Sequence, residues 1–287
     1  MMKHFLTITN VYKDKDLRVT KKIQDYICKK GGTCESFVST GEDVKHAAPE
    51  NDQVPENTEC VIVLGGDGTL IRAASKMVDH HLPLIAVNLG TLGYLCELEP
   101  SNVFQAIDQL MEGHYVVEER MMLTGYAIKN GVKTEPSLAL NDIVIHRTGA
   151  LSIVNLIVSV NGEYLNRIRA DGIIISTPTG STGYNMSAGG PIVDPKAKII
   201  LITPINAHNL NSTSIVIGAD DEVTIEIGPR RSQKDEMVEV SFDGDNAVEL
   251  KVGDRFIIRQ ASEVTRICRL SRTSFFENLR KKMQTYT

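Results

Sequence analysis

A nine-residue run in the first third of the chain combines residue types that could bind and transfer a phosphoryl group. Residues 61–64 are apolar and mostly β-branched, which is typical of a buried strand, and Gly65-Gly66-Asp67-Gly68-Thr69 follows directly. From Leu70 onward, apolar residues recur at helical spacing, so a tight turn should lead into a helix N-terminus. Glycines let a backbone approach a ligand closely, and the unpaired N–H groups of a helix N-terminus favour phosphate.

Asp67 is the unexpected member of this run, because a carboxylate repels phosphate. It has a function there if it holds Mg²⁺ or accepts a proton from an attacking hydroxyl, and both roles stay open at this point. A plain strand–helix turn would need no acid. The run therefore predicts phosphoryl transfer with Asp67 as the catalytic residue. The donor phosphates would contact Gly65, Gly66, Thr69 and Arg72, although Arg72 could equally be a surface helix residue.

Two further clusters lie in the second half of the chain. Asn141-Asp142 stands between apolar residues, and residues 169–191 form a stretch dense in Gly, Ser and Thr around the apolar run Ile173-Ile174-Ile175. Loops of small hydroxyl residues cost conformational entropy to order, so a ligand-binding loop lined with N–H and hydroxyl donors is the better explanation. Taken alone, Asn141-Asp142 would be read as a polar pair at a strand end.

The order and spacing of these three segments resemble the ATP–NAD kinase family over nearly the whole chain. The resemblance implies transfer of the γ-phosphoryl of ATP to the 2′-hydroxyl of the adenosine ribose of NAD, with Asp67 as proton acceptor. It also implies an N-terminal α/β domain, a C-terminal β-sandwich domain and a homodimer or homotetramer. The implied substrate contacts are Gly68, Tyr94, Asn141, Asp142, Arg169, Asp171, Thr182, Gly183, Tyr184, Asn185, Met186 and Ser187.

Several alternatives remain open from the sequence. Diacylglycerol-type lipid kinases share the Gly-Gly-Asp-Gly-Thr motif, and a non-catalytic NAD sensor could keep the second-half clusters. ATP and polyphosphate present the same terminal phosphates, and NAD⁺ and NADH are not distinguished. A divalent metal, Mg²⁺ in the first place, is implied as cofactor, but no ligand set is assigned. The family pattern is broken at Gly183, Thr213 and Asp245, where relatives often have Ala, Arg and Gln.

The predicted elements change character near residue 115. Residues 1–115 alternate strand and helix, which predicts a Rossmann-like α/β domain, and residues 116–270 are rich in short β-runs, which predicts a β-sandwich. The tail 271–287 should form an amphipathic helix that packs back on the first domain. Ser101 is a candidate helix cap, and residues 41–58 are predicted to form a mobile loop. The strands are predicted at residues 5–8, 35–38, 60–64, 84–88, 122–129, 138–146, 153–160, 172–176, 199–202, 214–217, 222–227, 236–242, 255–259 and 263–268, and the helices at 16–30, 70–79, 100–113 and 274–283.

The amino-acid composition limits the classes of binding partner that we expect. The chain has 287 residues, of which 42% are hydrophobic and 23% are charged, and its net charge of −5 argues against nucleic acid or an anionic membrane as partner. No apolar run approaches the roughly 18 residues of a membrane span, and the first residues lack the pattern of a signal peptide. The five cysteines are scattered and form no metal-binding pair, so we expect a cytoplasmic protein.

Overall fold

The computed structural model describes residues 1–39, 49, 53–90, 93–148, 153–208, 213–229, 237–270 and 275–285, which form two compact units. Unit 1 comprises Met1–Arg120 and Thr265–Thr287, and unit 2 comprises Met121–Val264. The boundaries expected from the sequence fall after residues 115 and 270. Most of the predicted loop at residues 41–58 lies outside the described residues.

Unit 1 is built on a parallel sheet with the strand order β2-β1-β3-β4. Every position of β3 and β4 is buried, as expected for parallel strands that helices cover. Helices α1 and α3 pack against the sheet with side chains such as Ile23, Ile27 and Ile107, and α2 also contacts β3 and β4. In chain order, the elements of this part are β1 (His4–Asn10), α1 (Arg18–Lys29), β2 (Thr33–Ser39), β3 (Cys60–Gly65), α2 (Asp67–Met77), β4 (Leu84–Asn88) and α3 (Val103–Glu112).

Three helix starts differ from the prediction, since α2 begins at Asp67 rather than at residue 70 and α3 at Val103 rather than at residue 100. A single 3₁₀ turn, Lys15–Leu17, precedes α1, and Leu17 has a φ of 55°, so the α-helix begins only at Arg18. Ser101 does not cap α3. The residue before that helix is Asn102, whose side-chain oxygen accepts a hydrogen bond from the Glu99 N–H at 2.9 Å and so closes a turn ahead of the helix.

Unit 2 is a β-sandwich, as the sequence predicts. One sheet has the antiparallel order β13-β12-β11-β8-β15-β16, and the other contains β10-β9-β14-β17. The core lies between the two sheets, where for example Ile143 and Ile173 meet Leu156 and Ile225. The elements after α3 are β5 (Val116–Lys129), β6 (Val132–Lys133), β7 (Ser137–Ala139), β8 (Asp142–Arg147), β9 (Val154–Val160), β10 (Glu163–Ala170), β11 (Gly172–Ser176), α4 (Tyr184–Ser187), β12 (Ile199–Ile205), β13 (Ile215–Gly218), β14 (Val223–Ile227), β15 (Met237–Phe242), β16 (Asp245–Lys251), β17 (Arg255–Arg269) and α5 (Phe275–Thr285).

The strands of this half correct the prediction in three places. The predicted strand at 138–146 is interrupted, since β7 ends at Ala139 and β8 begins at Asp142. The two runs at 255–259 and 263–268 form the single strand β17. Three strands were not predicted, β6, β10 and β16. Six of the eight residues of the edge strand β10 are exposed, which hides the apolar alternation.

The last helix, α5, belongs to unit 1 together with the end of β17, whose Ile267 pairs in parallel with Leu84 of β4. Its predicted first residue, 274, lies outside the described residues. None of the helices in the described part of the chain is both long enough and apolar enough to cross a membrane.

Candidate functional site

The turn between β3 and α2 carries the first predicted site. Gly66 precedes α2, and Asp67 is the first residue of that helix. The Gly66 N–H lies 3.5 Å from the hydroxyl oxygen of Thr69, and a Cβ at Gly65 would collide with the Thr69 side chain. Thr69 is itself buried, so its side chain fills the inside of the turn. Residue 65 must therefore be a glycine, because any larger residue would collide with Thr69.

The Asp67 carboxylate is held by three consecutive backbone N–H groups from the segment that follows β4. Tyr94 donates to Oδ2 at 2.6 Å, while Leu95 and Cys96 donate to Oδ1 at 3.2 and 3.3 Å. Charged acceptors form the stronger class of hydrogen bond, so this arrangement fixes the orientation of the carboxylate. Asp67 is half-buried, so the group remains partly accessible.

Gly93 and Cys96 complete the surroundings of this carboxylate. A Cβ at Gly93 would collide with the carboxylate of Asp67, so only glycine allows the chain to pass so closely. Burial raises the pKa of the Cys96 thiol far above its ordinary value, with a further contribution from the nearby Asp67 charge. The thiol therefore stays protonated and neutral beside the acid.

Two lysines that the sequence did not single out lie at this turn. Lys13 follows β1, and its Nζ would be 2.9 Å from a Cβ at Gly66 and 3.1 Å from one at Gly90. Lys282 of α5 is 8% exposed, and its Nζ lies 3.7 Å from the centroid of the Tyr94 ring. Burial lowers the pKa of Lys282, and attraction to the Asp67 carboxylate opposes that shift.

The second predicted site is a cavity of about 660 Å³ within unit 2. Four of the predicted substrate residues line it: Asn141, Asp142, Asp171 and Tyr184. The sequence missed the other lining residues, which are Val144, His146, Arg147, Ile205, Asn206, Glu239, Ser241, Asp243 and Gly244.

Asp243 is the missed residue with the largest structural effect in this cavity. Its carboxylate accepts hydrogen bonds from the N–H groups of Leu140, Asn141 and Asp142 at 2.8, 2.7 and 3.0 Å. Here the chain passes from β7, which pairs with β5 in one sheet, to β8, which pairs with β11 in the other, and these bonds satisfy the N–H groups at that break. The available signal was the Asp243-Gly244 pair, a hairpin turn in which both residues have positive φ.

The two carboxyl groups at this end of the cavity have raised pKa values. Burial raises the pKa of Asp142 to about 7, and the charge of Asp243 adds to the effect. Burial also raises the pKa of Asp243 to about 6, although the three backbone N–H groups favour its ionised form. The cavity therefore holds an acid that can donate a hydrogen bond near neutral pH.

Asn141 presents a buried acceptor to a ligand. Its Oδ1 atom is buried and has no hydrogen-bond partner within the described part of the protein, whereas its backbone oxygen accepts from the Thr177 N–H at 2.8 Å. A Cβ at Gly180 would collide with that backbone oxygen, so the loop approaches Asn141 closely. Buried polar atoms are nearly always paired, so this oxygen is a good candidate for a ligand contact.

Asp171 and Arg169 are close in sequence but not in environment. Asp171 accepts hydrogen bonds from Asn206 Nδ2 at 3.0 Å and from Arg147 Nε at 3.1 Å, and these partners lower its pKa. Arg169 is exposed on β10 and does not line the cavity. Arg147, which the sequence did not single out, is the cation that contacts Asp171.

Within the loop at residues 182–187, Tyr184 lines the cavity and Asn185 holds the loop in shape. Tyr184 is 47% exposed and lines the cavity. Asn185 is fully buried, and its amide donates to the backbone oxygens of Ser181 and Pro191 while its oxygen accepts from Thr203. These bonds hold the loop in shape. The remaining predicted residues, Thr182, Gly183, Met186 and Ser187, do not line the cavity.

Comparison with known proteins matches both halves of the chain. Family models described as the ATP-NAD kinase N-terminal and C-terminal domains match residues 5–115 and 140–270. The NAD kinase of Agathobacter rectalis is 57% identical over 286 residues, which is 100% of either chain. The NAD kinase of Lachnospira eligens is 42% identical over 98% of this chain and 100% of its own length.

Solved structures show the same fold at lower identity. Yeast NADH kinase, determined in complex with NADH, has a TM-score of 0.85 at 23% identity and covers 99% of this chain and 88% of its own. An NAD kinase from Archaeoglobus fulgidus in complex with ATP has a TM-score of 0.75 at 22% identity and covers 98% and 99%. With both domains matched in order and a relative more than half identical along its whole length, the chain belongs to the ATP–NAD kinase family.

Proposed function

We propose that the chain transfers the γ-phosphoryl of ATP to the 2′-hydroxyl of the adenosine ribose of NAD, producing NADP. The observation that carries the proposal is the Asp67 carboxylate, which three backbone N–H groups orient at the first turn of α2 while leaving it partly accessible. The names of the relatives and the titles of the two kinase structures support the choice of substrates.

Asp67 is the proposed proton acceptor. As the 2′-oxygen attacks phosphorus, its proton passes to the carboxylate, and general-base help of this kind contributes about 10²–10⁴-fold to a rate. The three donors keep the carboxylate in one orientation, so no reorganisation is needed when the hydroxyl arrives. Gly68 follows Asp67 and is exposed, with open space where a side chain would project, so a ligand can approach its backbone.

The donor phosphates bind at the β3–α2 turn. The N-terminal N–H groups of α2 favour phosphate, and the glycines at 65 and 66 keep side chains out of the way. Arg72 lies on the second turn of the same helix and Thr69 shapes the loop. Lys13 adds a further cation at Gly66 and Gly90, so the turn is more basic than its own sequence suggests.

The residues of the β3–α2 turn fit a divalent cation that arrives bound to ATP, the phosphoryl donor. Within the described residues there is no group of three or more acidic, His or Cys side chains that could hold a metal ion. Mg²⁺ commonly takes one or two carboxylates together with substrate phosphate oxygens, so in its alternative role Asp67 would hold this cation instead of accepting the proton. When bound, the cation supplies neutralisation of charge on the phosphate oxygens.

NAD binds in the unit 2 cavity. The buried Oδ1 of Asn141 accepts a hydrogen bond from the ligand, and protonated Asp142 donates one. The half-exposed ring of Tyr184 offers a face on which a base can stack. Asp171, oriented by Arg147 and Asn206, is an acceptor for ribose hydroxyl groups.

The direct test is turnover by the purified protein with NAD⁺, ATP and Mg²⁺, in which an NADP-specific dehydrogenase detects the product. We expect NADP⁺ from the wild type and a large loss in Asp67→Asn. Parallel reactions replace ATP by polyphosphate and NAD⁺ by NADH. Phosphorylation of diacylglycerol instead of NAD would identify a lipid kinase, and NAD binding without turnover under all conditions would identify a sensor.

We also propose a homodimer or homotetramer located in the cytoplasm. The edge strand β10 exposes backbone and the side chains of Tyr164 and Leu165, the kind of surface that strand edges use for association. Light scattering after size exclusion measures the oligomeric state. Cell fractionation with an antibody against the chain measures the location.

A further inference from the structure

One buried cation of unit 1 has no role in the proposed phosphoryl transfer. Lys282 of α5 is 8% exposed, and among the described residues its Nζ makes neither an ion pair nor a hydrogen bond. Its Nζ lies over the Tyr94 ring, 3.7 Å from the centroid, and its charge is attracted by the Asp67 carboxylate. An ammonium carries three N–H donors, and Nζ is not among the fully buried polar atoms that lack a partner, so a ligand can reach these donors.

Among the described residues, none of the groups around Lys282 accepts a hydrogen bond from it. Both oxygens of Asp67 already accept N–H groups from residues 94–96, and the Cys96 thiol is a weak acceptor. Lys282 therefore brings unused donors to the place where the proton acceptor and the helix N-terminus of α2 meet. An anionic ligand with several oxygens is the chemistry that would satisfy them.

We propose that Lys282 is a further catalytic residue, whose ammonium donates hydrogen bonds to the phosphoryl group while it is being transferred. This inference rests on the proposed function. In the transfer, the bond from the 2′-oxygen of NAD to the γ-phosphorus forms as the bond from that phosphorus to the β–γ bridging oxygen breaks. The electron pair of the broken bond leaves with ADP, and the proton of the hydroxyl goes to Asp67.

Lys282 keeps its three protons throughout this step. Its contribution is electrostatic, because charge spreads over the equatorial oxygens of the phosphoryl group in the transition state and a fixed cation stabilises that distribution. Burial makes the effect larger than it would be in water. The residue comes from α5, at the far end of the chain from the motif it serves, so no local pattern connects the two.

The inference has a structural rival, in which Lys282 only holds the Tyr94 ring and thereby the N–H groups that clamp Asp67. The variants Lys282→Met and Tyr94→Leu separate the two roles. If Lys282 acted only through the ring, both single variants and the double variant would lose the same activity. We expect Lys282→Met to reduce kcat further in the Tyr94→Leu background.

The main experiment measures kcat and KM for NAD⁺ and ATP in Lys282→Met, Lys282→Arg and the control Lys29→Met. Lys29 is an exposed lysine near the end of α1, so the control makes the same chemical change without touching the site. We expect Lys282→Met to lose about 10²-fold in kcat, as when one transition-state donor is removed. KM for NAD⁺ should stay within about threefold, Lys282→Arg should recover part of the rate, and Lys29→Met should match the wild type.

Direct NAD⁺ binding by calorimetry and the thermal midpoint complete the test. Retained NAD⁺ affinity alongside low kcat supports the inference. It is overturned if Lys282→Met turns over within threefold of an active wild type. It is equally overturned if the arginine variant is as inactive as the methionine variant and both lose NAD⁺ affinity and thermal stability together. An inactive wild type would instead refute the proposed function, and the inference would fail with it.

Discussion

Replacing Asp67 by Asn tests both the proposed proton acceptor and the three backbone hydrogen bonds that hold its carboxylate. The substitution keeps the shape of the side chain, removes the charge and converts one of the two oxygens into an NH₂ donor. Oδ2 accepts the shortest bond, 2.6 Å from the Tyr94 N–H, and Oδ1 accepts the longer pair from Leu95 and Cys96. An asparagine can satisfy one side only, and its NH₂ group then faces an N–H donor on the other.

The size of the effect follows from this geometry. Hydrogen bonds to charged groups contribute about 1.5–3 kcal/mol and neutral ones about 0.5–1.5 kcal/mol, so losing the charge and at least one bond should cost about 3 kcal/mol. For a unit of this size that corresponds to a fall in Tm on the order of 10 °C. Catalysis should fall separately, by about 10²–10⁴-fold in kcat, because the proton acceptor is gone.

The assay therefore reports two quantities on the same samples. Scanning calorimetry gives the transition of unit 1, and the coupled NADP assay gives kcat at a temperature well below both transitions. NAD⁺ affinity should stay near the wild-type value, since the NAD cavity belongs to unit 2. Asp25→Asn is the matched control, because Asp25 is an exposed aspartate on α1.

Either half of the reasoning can be refuted independently. Undiminished turnover in Asp67→Asn would show that the residue is not the proton acceptor. A thermal midpoint within about 1 °C of the wild type would show that the three backbone bonds contribute little to stability. A matching loss in Asp25→Asn would show that the assay reports general damage.

Three further variants probe other parts of the two sites. Gly93→Ala should reduce kcat at least tenfold and lower the thermal midpoint, because its methyl group would displace the Asp67 carboxylate; unchanged kinetics would mean that the segment moves away freely. Asn141→Ala should raise KM for NAD about fivefold, the equivalent of one hydrogen bond of about 1 kcal/mol, with little change in thermal stability, since Oδ1 has no partner among the described residues. Because the folded-state pKa of Asp142, about 7, lies above its unfolded value, the folded protein binds the extra proton and loses this stabilisation as the pH rises from about 4 to about 7. Asp142→Asn should therefore have a higher thermal midpoint than the wild type at pH 8 and a smaller advantage at pH 5, and a pH-independent difference would contradict the assignment.

The sequence predicted those parts of the fold that depend on local pattern. The predicted strand at residues 172–176 coincides with β11. A short run of apolar β-branched residues between turn residues is typical of a buried strand. The edge strand β10 was missed because six of its eight residues are exposed, so no alternation of buried apolar and exposed polar residues marks it. The break at Leu140 and Asn141 could not be predicted from their own residues, since the chain changes sheet there and its N–H groups are satisfied by Asp243, about a hundred positions later.

The candidate site shows the same division between local and tertiary causes. Asp67 and the glycines of the β3–α2 turn were identifiable from type and spacing alone. The need for Gly93, the clamp on Asp67 and the approach of Lys282 depend on segments that meet only after folding. Motif reading therefore identifies the residue that is proposed to do chemistry, and tertiary structure shows what holds it in position.

The membership of α5 in unit 1 has a consequence for how the protein is made. Unit 2 is one uninterrupted stretch, Met121–Val264, and can finish folding while the rest of the chain is still being synthesised. Unit 1 must wait, because Ile267 pairs with β4 and Lys282 reaches Tyr94 only after residues 265–285 leave the ribosome. A nascent chain stopped before that point would carry the whole NAD cavity without a finished phosphoryl-transfer site, so the capacity to bind should precede the capacity to react during each round of translation.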